Sequence, residues 1–418
     1  MKTVLDFLGQ LWLRFLKPDG SITVPHPNEG KAKRSSNSNS ILQKSLETFL
    51  QERIEFRFNL LSEETEYRYK QLETDRFYPV TQRDLNSICM EARRTGIDCR
   101  DRDVNRFVYS KEVKEYHPFR QYMEWLPEWD GKDRVSDLAR RVSSEPLWVE
   151  GFHRWMLALA SQWMGSNRMH ANSLAPILVS ERQGCQKSTF CKSLMPSSLV
   201  RYYTDSVDLS ASTQMEQKLG LFGLINLDEF DRLPDRKMAL LKNWMQMAGM
   251  NVRKAHAKHF HPLPRLASFI GTTNQKNLLS APTGSRRFLC VEVQSKINCE
   301  GIEHDQIYAQ LKAMLLGGEH HGFTAEEEAE IQRANVAFYR TCPAEEAFAR
   351  HFRAARPDEE ALSASLPELI ALLRKRQPGT LTGIGMQEFS RALVAAGVER
   401  KHTEKGNRYR IVPLERRP

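Results

Sequence analysis

The chain has 418 residues, 40% hydrophobic and 27% charged, a composition typical of globular proteins that bury a core without disulfide support. No apolar run approaches the roughly 18–20 residues of a membrane span, so we expect no membrane partner. Seven dispersed cysteines without C-x-x-C spacing argue against a zinc site or disulfide framework and favour a reducing, cytoplasmic location. The formal net charge of +9 favours a polyanionic partner.

The N-terminal third shows little evident chemistry. Residues 1–40 predict a short helix and then a flexible linker, because 25–40 is polar, rich in Ser, Asn and Pro, and lacks an apolar period. Residues 41–135 predict an accessory domain, either α+β or mostly helical. Segments beginning at Ile54 and Glu66 alternate every second residue, as half-buried strands do, and a helix is predicted over 83–94.

Residues 136–322 predict an α/β domain. A helical pattern over 136–168 is followed by short apolar strands that alternate with helices, which implies a parallel sheet. The predicted strands cover 176–180, 222–227, 267–272 and 287–293, and the predicted helices cover 187–194 and 235–247.

Residues 323–418 predict a mostly helical C-terminal domain. A charged helix over 324–338 precedes apolar periods at 361–374 and 386–396. The chain closes with a hairpin pattern, in which Arg400–His402 and Tyr409–Val412 flank a turn. Two helices followed by a two-stranded wing resemble a winged-helix module.

A strand, a loop and a helix start follow one another in Ile177-Leu-Val-Ser-Glu-Arg-Gln-Gly-Cys-Gln-Lys-Ser-Thr-Phe. P-loops have this order, because their backbone N–H groups and helix N-terminus bind phosphate. The pattern G-x-x-x-x-G-K-[ST] departs at Glu181 and Gln186, and a side chain at 186 can obstruct the phosphate cradle or resist its backbone angles. Lys187 would reach the ATP phosphates, and the Ser188 hydroxyl would ligate Mg²⁺. The candidate nucleotide-binding residues are Gly184, Cys185, Gln186, Lys187, Ser188 and Thr189.

An apolar strand ending in two carboxylates lies 41 residues after that lysine. Asp228 could hold the Mg²⁺ shell, and Glu229 could polarise the attacking water. A core strand followed by a solvated acidic turn would give the same pattern.

A third apolar strand ends in Gly271-Thr-Thr-Asn, and Gly284-Ser-Arg-Arg-Phe follows it. Asn274 could hold a water or the γ-phosphate through its amide, and Arg286 or Arg287 could stabilise charge in phosphoryl transfer, including in a neighbouring subunit. A surface arginine pair is the alternative for this motif alone. Four elements in this order favour an ATP-hydrolysing α/β fold.

The positive charge is concentrated between Arg236 and Val291, where ten Lys or Arg residues and three His occur without any Asp or Glu. The rest of the chain is nearly neutral, with 51 basic and 52 acidic residues. This concentration favours a nucleic-acid partner over a solvated surface that happens to lack acids.

These motifs, with Glu115-Tyr-His-Pro-Phe-Arg and Trp129-Asp-Gly-Lys-Asp-Arg, resemble the virulence-associated protein E family over roughly residues 110–295. The family comprises P-loop ATPases related to superfamily 3 helicases and to phage or poxvirus-type primase-helicases. The last 80 residues are similar to the small domain that follows this ATPase in Bacteroides-type mobile-element proteins.

The resemblance implies roles at matching positions. Lys187 and Ser188 fall on Walker A, and Asp228 and Glu229 fall on Walker B. Asn274 falls on the sensor asparagine, and Arg286 or Arg287 falls on the arginine finger. Superfamily 3 proteins place a DNA-contacting hairpin between the acidic and sensor strands. The candidate DNA contacts in that interval are Arg253, Lys254, Lys258 and His259.

The predicted fold class is therefore α/β: a P-loop ATPase core with a parallel sheet, an N-terminal α+β or helical region and a winged-helix-like C-terminal domain. The predicted function is Mg²⁺-dependent ATP hydrolysis by a homo-oligomeric ring that acts as a helicase on single-stranded or forked DNA of a mobile genetic element. Two alternatives stay open. One is a degenerate P-loop scaffold in which Gln186 blocks hydrolysis, and the other is an ATP-driven switch acting on protein.

Overall fold

The structure is a computed structural model that describes residues 36–72, 76–165, 171–206, 209, 212–252, 259–279, 285–339, 343–356, 358–376, 386–403 and 406–414. The chain divides into two compact units, one ending at Tyr116 and one beginning at His117. This division falls before the predicted boundary at 135, because the aromatic side chains after His117 pack within the second unit. The Phe119 ring lies 4.7 Å from that of Trp163.

The first unit is an α+β fold, one of the two alternatives left open by the sequence. Strands β1 and β2 confirm the two alternating segments, and β1 pairs antiparallel with β2 and parallel with β4. The first helix begins at Ser36, so the linker prediction is wrong for residues 36–40, while residues 1–35 lie outside the described part. The elements are α1 Ser36–Arg53, β1 Ile54–Asn59, β2 Glu64–Tyr69, β3 Tyr78–Pro79, α2 Gln82–Arg94, α3 Asp101–Val108 and β4 Lys114–Tyr116.

The second unit is built on a parallel sheet, as the alternation of strands and helices predicted. The sheet order is β11-β5-β10-β7-β6, and every described pair in it is parallel. Its strands are β5 Ala175–Val179, β6 Tyr203–Thr204, β7 Leu224–Leu227, β10 Ser268–Thr273 and β11 Phe288–Glu292. The three central strands β5, β10 and β7 are buried along their whole length, which explains why each reads as a continuous apolar run.

Helices surround this sheet and two short strands lie apart from it. Strands β8 Gly249–Val252 and β9 His261–Pro264 form a separate antiparallel pair. The helices are α4 Pro118–Glu124, α5 Arg134–Arg140, α6 Pro146–Met164, α7 Lys187–Ser193, α8 Ser212–Leu221, α9 Asp235–Gln246, α10 His304–Leu316 and α11 Ala325–Ala334. None of the helices that the structure describes combines the length and the apolar character that crossing a membrane requires.

The chain after residue 342 has its own hydrophobic core, which includes Phe348, Leu369 and Tyr409. The predicted closing hairpin is confirmed by antiparallel β14 and β15. The predicted helix over 361–374 begins only at Leu366, because residues 362–365 pair with β15. The elements are α12 Pro343–His351, β12 Phe352–Ala354, β13 Leu362–Ser365, α13 Leu366–Arg376, α14 Met386–Ala395, β14 Arg400–Thr403 and β15 Gly406–Pro413.

Candidate functional site

The parallel sheet brings the motifs of three strands to one edge. Strands β5, β10 and β7 are neighbours in that order, so the residues after their carboxyl ends meet. The Lys187 ammonium donates to the Asn274 side-chain oxygen at 2.9 Å and to the Ser180 carbonyl at 3.2 Å. The candidate phosphate-loop lysine and the candidate sensor asparagine are thus in direct contact.

Lys187 is a buried cation. Its residue is only 8% exposed, and desolvation lowers the pKa of its ammonium, opposed by the nearby Cys185, Asp228 and Cys191 groups. No full ion pair offsets this burial among the contacts of the described residues, since Lys187 bonds to a carbonyl and an amide oxygen. A poorly hydrated cation is well suited to bind an anion that enters beside it.

A pair of acids follows β7, each bonded to a threonine at the end of β10. Asp228 accepts hydrogen bonds from the Thr272 hydroxyl and, at 3.3 Å, from the Ser188 hydroxyl. The Thr273 hydroxyl donates to Asp231. Asp228 therefore touches both the helix that starts at Lys187 and the strand that leads to the sensor, and its exposed carboxylate can hold a hard cation.

The backbone is strained at two of the candidate residues. Among the described residues, three that are not glycine have positive φ: Glu63, Gln186 and Glu229. Gln186 has φ 59° and ψ 28°, so the chain adopts at this position the left-handed conformation that the motif's glycine would provide. Glu229 has φ 51° and ψ 44°. Left-handed backbone without glycine concentrates at functional sites, where surrounding structure maintains it.

The other loop residues have distinct environments. Gly184 has φ +79°, and no atom lies within 4 Å of where a Cβ would be, so its role is conformational rather than steric. Cys185 is buried with its sulfur 3.4 Å from the Ser180 hydroxyl. Thr189 is exposed one position beyond Ser188.

Glu229 forms an exposed ion pair. Its carboxylate lies 2.6 Å from the Arg232 guanidinium, with about half of the Glu229 side chain exposed. A water-polarising role for Glu229 would require this contact to open, and an exposed pair of this kind contributes little stability that would resist opening.

The two candidate arginine-finger residues lie at the amino ends of the strands, opposite the carboxyl ends where Lys187, Asp228 and Asn274 meet. They immediately precede β11, whose first residue is paired with the first residue of β5. Strand β5 is roughly 13–17 Å long, at about 3.3 Å per strand residue, so the arginine pair lies beside its amino end while the loop that leads to Lys187 leaves its carboxyl end. The structure does not bring them into the Lys187 site of the same chain.

A cavity of about 450 Å³ adjoins these arginines, and its lining includes His320, His321 and Asn172. Arg286 is half exposed and forms an ion pair with Glu328 at 2.9 Å. Burial, and then the neighbouring Arg286 charge, lower the pKa of Arg287.

The candidate DNA contacts lie between β8 and β9. His259 is exposed just before β9. Arg253, Lys254 and Lys258 lie outside the described residues, so their roles stay predictions. The antiparallel β8–β9 pair flanks the interval in which the resemblance implies a hairpin.

Several residues of this site were not singled out by sequence reasoning. Thr272 and Thr273 stand within the sensor motif, and their place at the end of an apolar strand was the available signal. Ser180 contacts Lys187 through its backbone carbonyl, for which the sequence offers no signal.

Comparison with known proteins identifies the family. A model of the virulence-associated protein E-like domain matches residues 123–340, which is more than half of the chain. The chain belongs to this family. A second model, described as a domain of unknown function from a B. Theta gene, matches residues 341–411 and confirms the predicted similarity of the C-terminal region. This second match begins at residue 341, directly after the first match ends.

Solved structures of the NrS-1 C-terminal region align with this family member over most of its length. The apo structure of residues 305–718 has a TM-score of 0.43 at 12% identity, covering 90% of this chain and 99% of that one. The A form of the apo C-terminal region gives a TM-score of 0.42 at 11% identity, covering 88% of this chain and 98% of that one. No curated protein sequence matches the chain.

Proposed function

We propose that the protein is a Mg²⁺-dependent ATPase that couples hydrolysis to the binding of single-stranded or forked DNA, as a helicase in the replication of a mobile genetic element. The observation that carries this proposal is the convergence of Lys187, Ser188, Asp228 and Asn274 at one edge of a parallel sheet. Open α/β sheets bind ligands at the carboxyl ends of their strands.

The residues at this edge fit ATP and Mg²⁺. Lys187 provides a buried ammonium whose described contacts include no full counter-charge. Such a group is suited to bind a triphosphate. Ser188 and Asp228 would hold Mg²⁺, since both present oxygens and already lie within 3.3 Å of each other. Bound Mg-ATP supplies a phosphoryl group for transfer to water.

The chain's own residues would then position the water and the phosphates. Glu229 leaves Arg232 and accepts a hydrogen bond from the water. Asn274 exchanges its contact with Lys187 for one to the water or the γ-phosphate, because the ammonium moves its hydrogen bonds to the phosphate oxygens. Thr272 keeps Asp228 oriented through its hydroxyl.

Gln186 is the main argument for a degenerate P-loop, and its backbone weakens that argument. The left-handed conformation at 186 meets the requirement for which glycine is normally used. The side chain still stands beside the loop, so a scaffold without hydrolysis is the alternative that the experiment must separate.

Two features support a ring that acts on DNA. Arg286 and Arg287 lie a strand's length from their own Lys187, so they could act only on the nucleotide of a second copy. The basic segment, the β8–β9 pair and the C-terminal domain, whose order after residue 342 is helix–strand–strand–helix–helix–hairpin, would supply the DNA contacts. That order supports a winged-helix interpretation of the C-terminal domain.

DNA-stimulated phosphate release separates the three functions. Stimulation by single-stranded DNA that is lost in Lys187→Ala supports the helicase-type ATPase. No turnover in the wild type, without recovery in Gln186→Gly, favours the scaffold. Turnover that is unchanged by DNA favours a switch acting on protein.

A further inference from the structure

Residues 335–339 form a clamp around the arginine turn Ser285–Arg287. The side-chain amide of Asn335 donates one hydrogen bond to the Ser285 carbonyl at 2.9 Å and another to the Phe288 carbonyl at 2.8 Å. These two carbonyls stand at the beginning and just after the end of the turn. Asn335 is 1% exposed, so water does not replace these bonds.

The same segment holds the turn by a second contact. The hydroxyls of Ser285 and Tyr339 lie 2.7 Å apart and share a hydrogen bond. One residue earlier, the Phe338 carbonyl accepts hydrogen bonds from the backbone N–H groups of Leu278 and Leu279, each at 3.0 Å. The clamp therefore joins the turn to the chain that follows the candidate sensor Asn274.

Helix α11 brings a third contact from the same side. Glu328, on α11, pairs with Arg286. Asn335 follows the last residue of α11 and lies seven residues, about two helical turns, beyond Glu328, so both side chains contact the arginine turn. The backbone of the turn is fixed by Asn335, while the guanidinium of Arg286 stays half exposed. The backbone of the arginine turn is therefore held in place, while the guanidinium of Arg286 remains accessible.

We propose that Asn335 is a positioning residue that holds Arg286 and Arg287 for action on the nucleotide of a second copy of this chain. The inference rests on the proposed ATPase function. A one-ångström displacement of a positioned group can reduce a rate about 10²-fold, and a turn that has lost two of its backbone contacts has that freedom. Because the arginines act in the neighbouring copy, the defect appears in the neighbour's site.

Subunit mixing tests this directly. Asn335→Leu removes both donors while keeping a similar volume, and Lys187→Ala inactivates the phosphate loop but leaves the arginine turn intact. Each variant alone is expected to hydrolyse ATP at least about tenfold more slowly than the wild type. A 1:1 mixture is expected to recover turnover several-fold above either variant, because mixed rings contain sites with Lys187 from one copy and a held arginine turn from the other.

Further measurements distinguish positioning from general damage. Binding of a fluorescent ATP analogue by Asn335→Leu is expected to stay within about twofold of the wild type, because its own Lys187 site is intact. If Asn335→Leu does not fold, Tyr339→Phe removes only the hydroxyl contact to Ser285 and should show a several-fold loss that the mixture also rescues.

The possible outcomes distinguish failure of the positioning role of Asn335 from failure of the proposed ATPase function. The Arg286→Ala/Arg287→Ala double variant mixed with Lys187→Ala is the reference. Rescue of that double variant without rescue of Asn335→Leu overturns the positioning role alone, as does unchanged turnover in Asn335→Leu. A double arginine variant as active as the wild type overturns the inference but leaves the proposed ATPase function standing, whereas a wild type without turnover overturns both.

Discussion

Lys187 and Asn274 are 87 residues apart in the chain, and their side chains form a 2.9 Å hydrogen bond. The contact exists because β5 and β10 are parallel neighbours, so that the residues after both strands meet. An anion that binds at Lys187 would compete with Asn274 and Ser180 for the three donors of the ammonium. The two motifs thus form one hydrogen-bonded unit.

Removing the lysine charge should abolish turnover. In Lys187→Ala we expect phosphate release to fall at least about 10²-fold, the usual effect of deleting a group that stabilises transition-state charge. Lys192→Ala is the matched control, because Lys192 is an exposed lysine in the same short helix. Equal activity of the two variants would exclude Lys187 from the reaction.

The two Asp–Thr pairs provide an internal comparison for the metal. Asp228 bonds to Thr272 and Ser188, whereas Asp231 bonds to Thr273. We expect Asp228→Asn to raise the Mg²⁺ concentration needed for half-maximal turnover at least about tenfold, because a carboxylate ligand is replaced by a neutral amide. Asp231→Asn should leave the Mg²⁺ titration unchanged, and a shift of the same size there would contradict the assignment of Asp228.

The left-handed backbone at residue 186 predicts an effect on stability. We expect Gln186→Gly to leave the free energy of unfolding unchanged or to raise it by up to about 1 kcal/mol, since strain relief opposes the added freedom of the unfolded chain. Gln183→Gly, in the same loop but without positive φ, should lower it by about 0.5–1 kcal/mol. Urea unfolding measures the free energy of unfolding of both variants. A larger loss of stability in Gln186→Gly than in Gln183→Gly would contradict backbone strain at Gln186.

The sequence predicted the parallel sheet and the clustering of its motifs well. The strands β5, β7 and β10 are buried along their length, so each appears in the sequence as an apolar run, and each ends at a polar motif. Parallel order then brings those ends together. The backbone at Gln186 could not be predicted in this way, because its φ is imposed by the surrounding loop and not by the residue.

Buried hydrogen bonds from side chains to backbone carbonyls could also not be predicted from the sequence. Arg265 counted as one of the ten basic residues of the acid-free segment, yet its guanidinium is buried and donates to carbonyls that include those of Trp244 and Met245. Burial lowers the pKa of Arg265 to about 9, so it remains a cation at neutral pH. Its charge supports the fold beside the β8–β9 pair and does not add to a DNA-binding surface. Asn335 was missed for the same reason, since carbonyl partners leave no sequence motif.

The basic interval between β8 and β9 predicts salt-dependent DNA binding. We expect Lys254→Ala and Lys258→Ala each to weaken single-stranded DNA binding and to reduce the slope of log affinity against log salt by about 0.7, the release of one phosphate counterion. Fluorescence anisotropy at several salt concentrations measures this. Lys132→Ala, an exposed lysine outside the basic segment, is the control. Slopes equal to the wild type in both the Lys254 and the Lys258 variant would remove this interval from the DNA interface.

The cap of helix α4 predicts that acid destabilises the second unit. The His117 ring accepts a hydrogen bond from the Arg120 backbone N–H at 3.4 Å, which only a neutral ring nitrogen can do. Burial, and then the Arg120 charge, lower the pKa of His117 from 6.5 to about 4.

The unfolded chain therefore binds more protons than the folded chain between pH 6.5 and about 4, and the stabilisation present above pH 6.5 is lost as the pH falls through this window. His117→Asn keeps a capping acceptor but does not titrate. We expect the wild type to lose about 2 kcal/mol more of its unfolding free energy than His117→Asn between pH 7 and pH 4. Denaturant unfolding at each pH measures the difference, and parallel pH profiles would show that His117 titrates alike in the folded and unfolded chains.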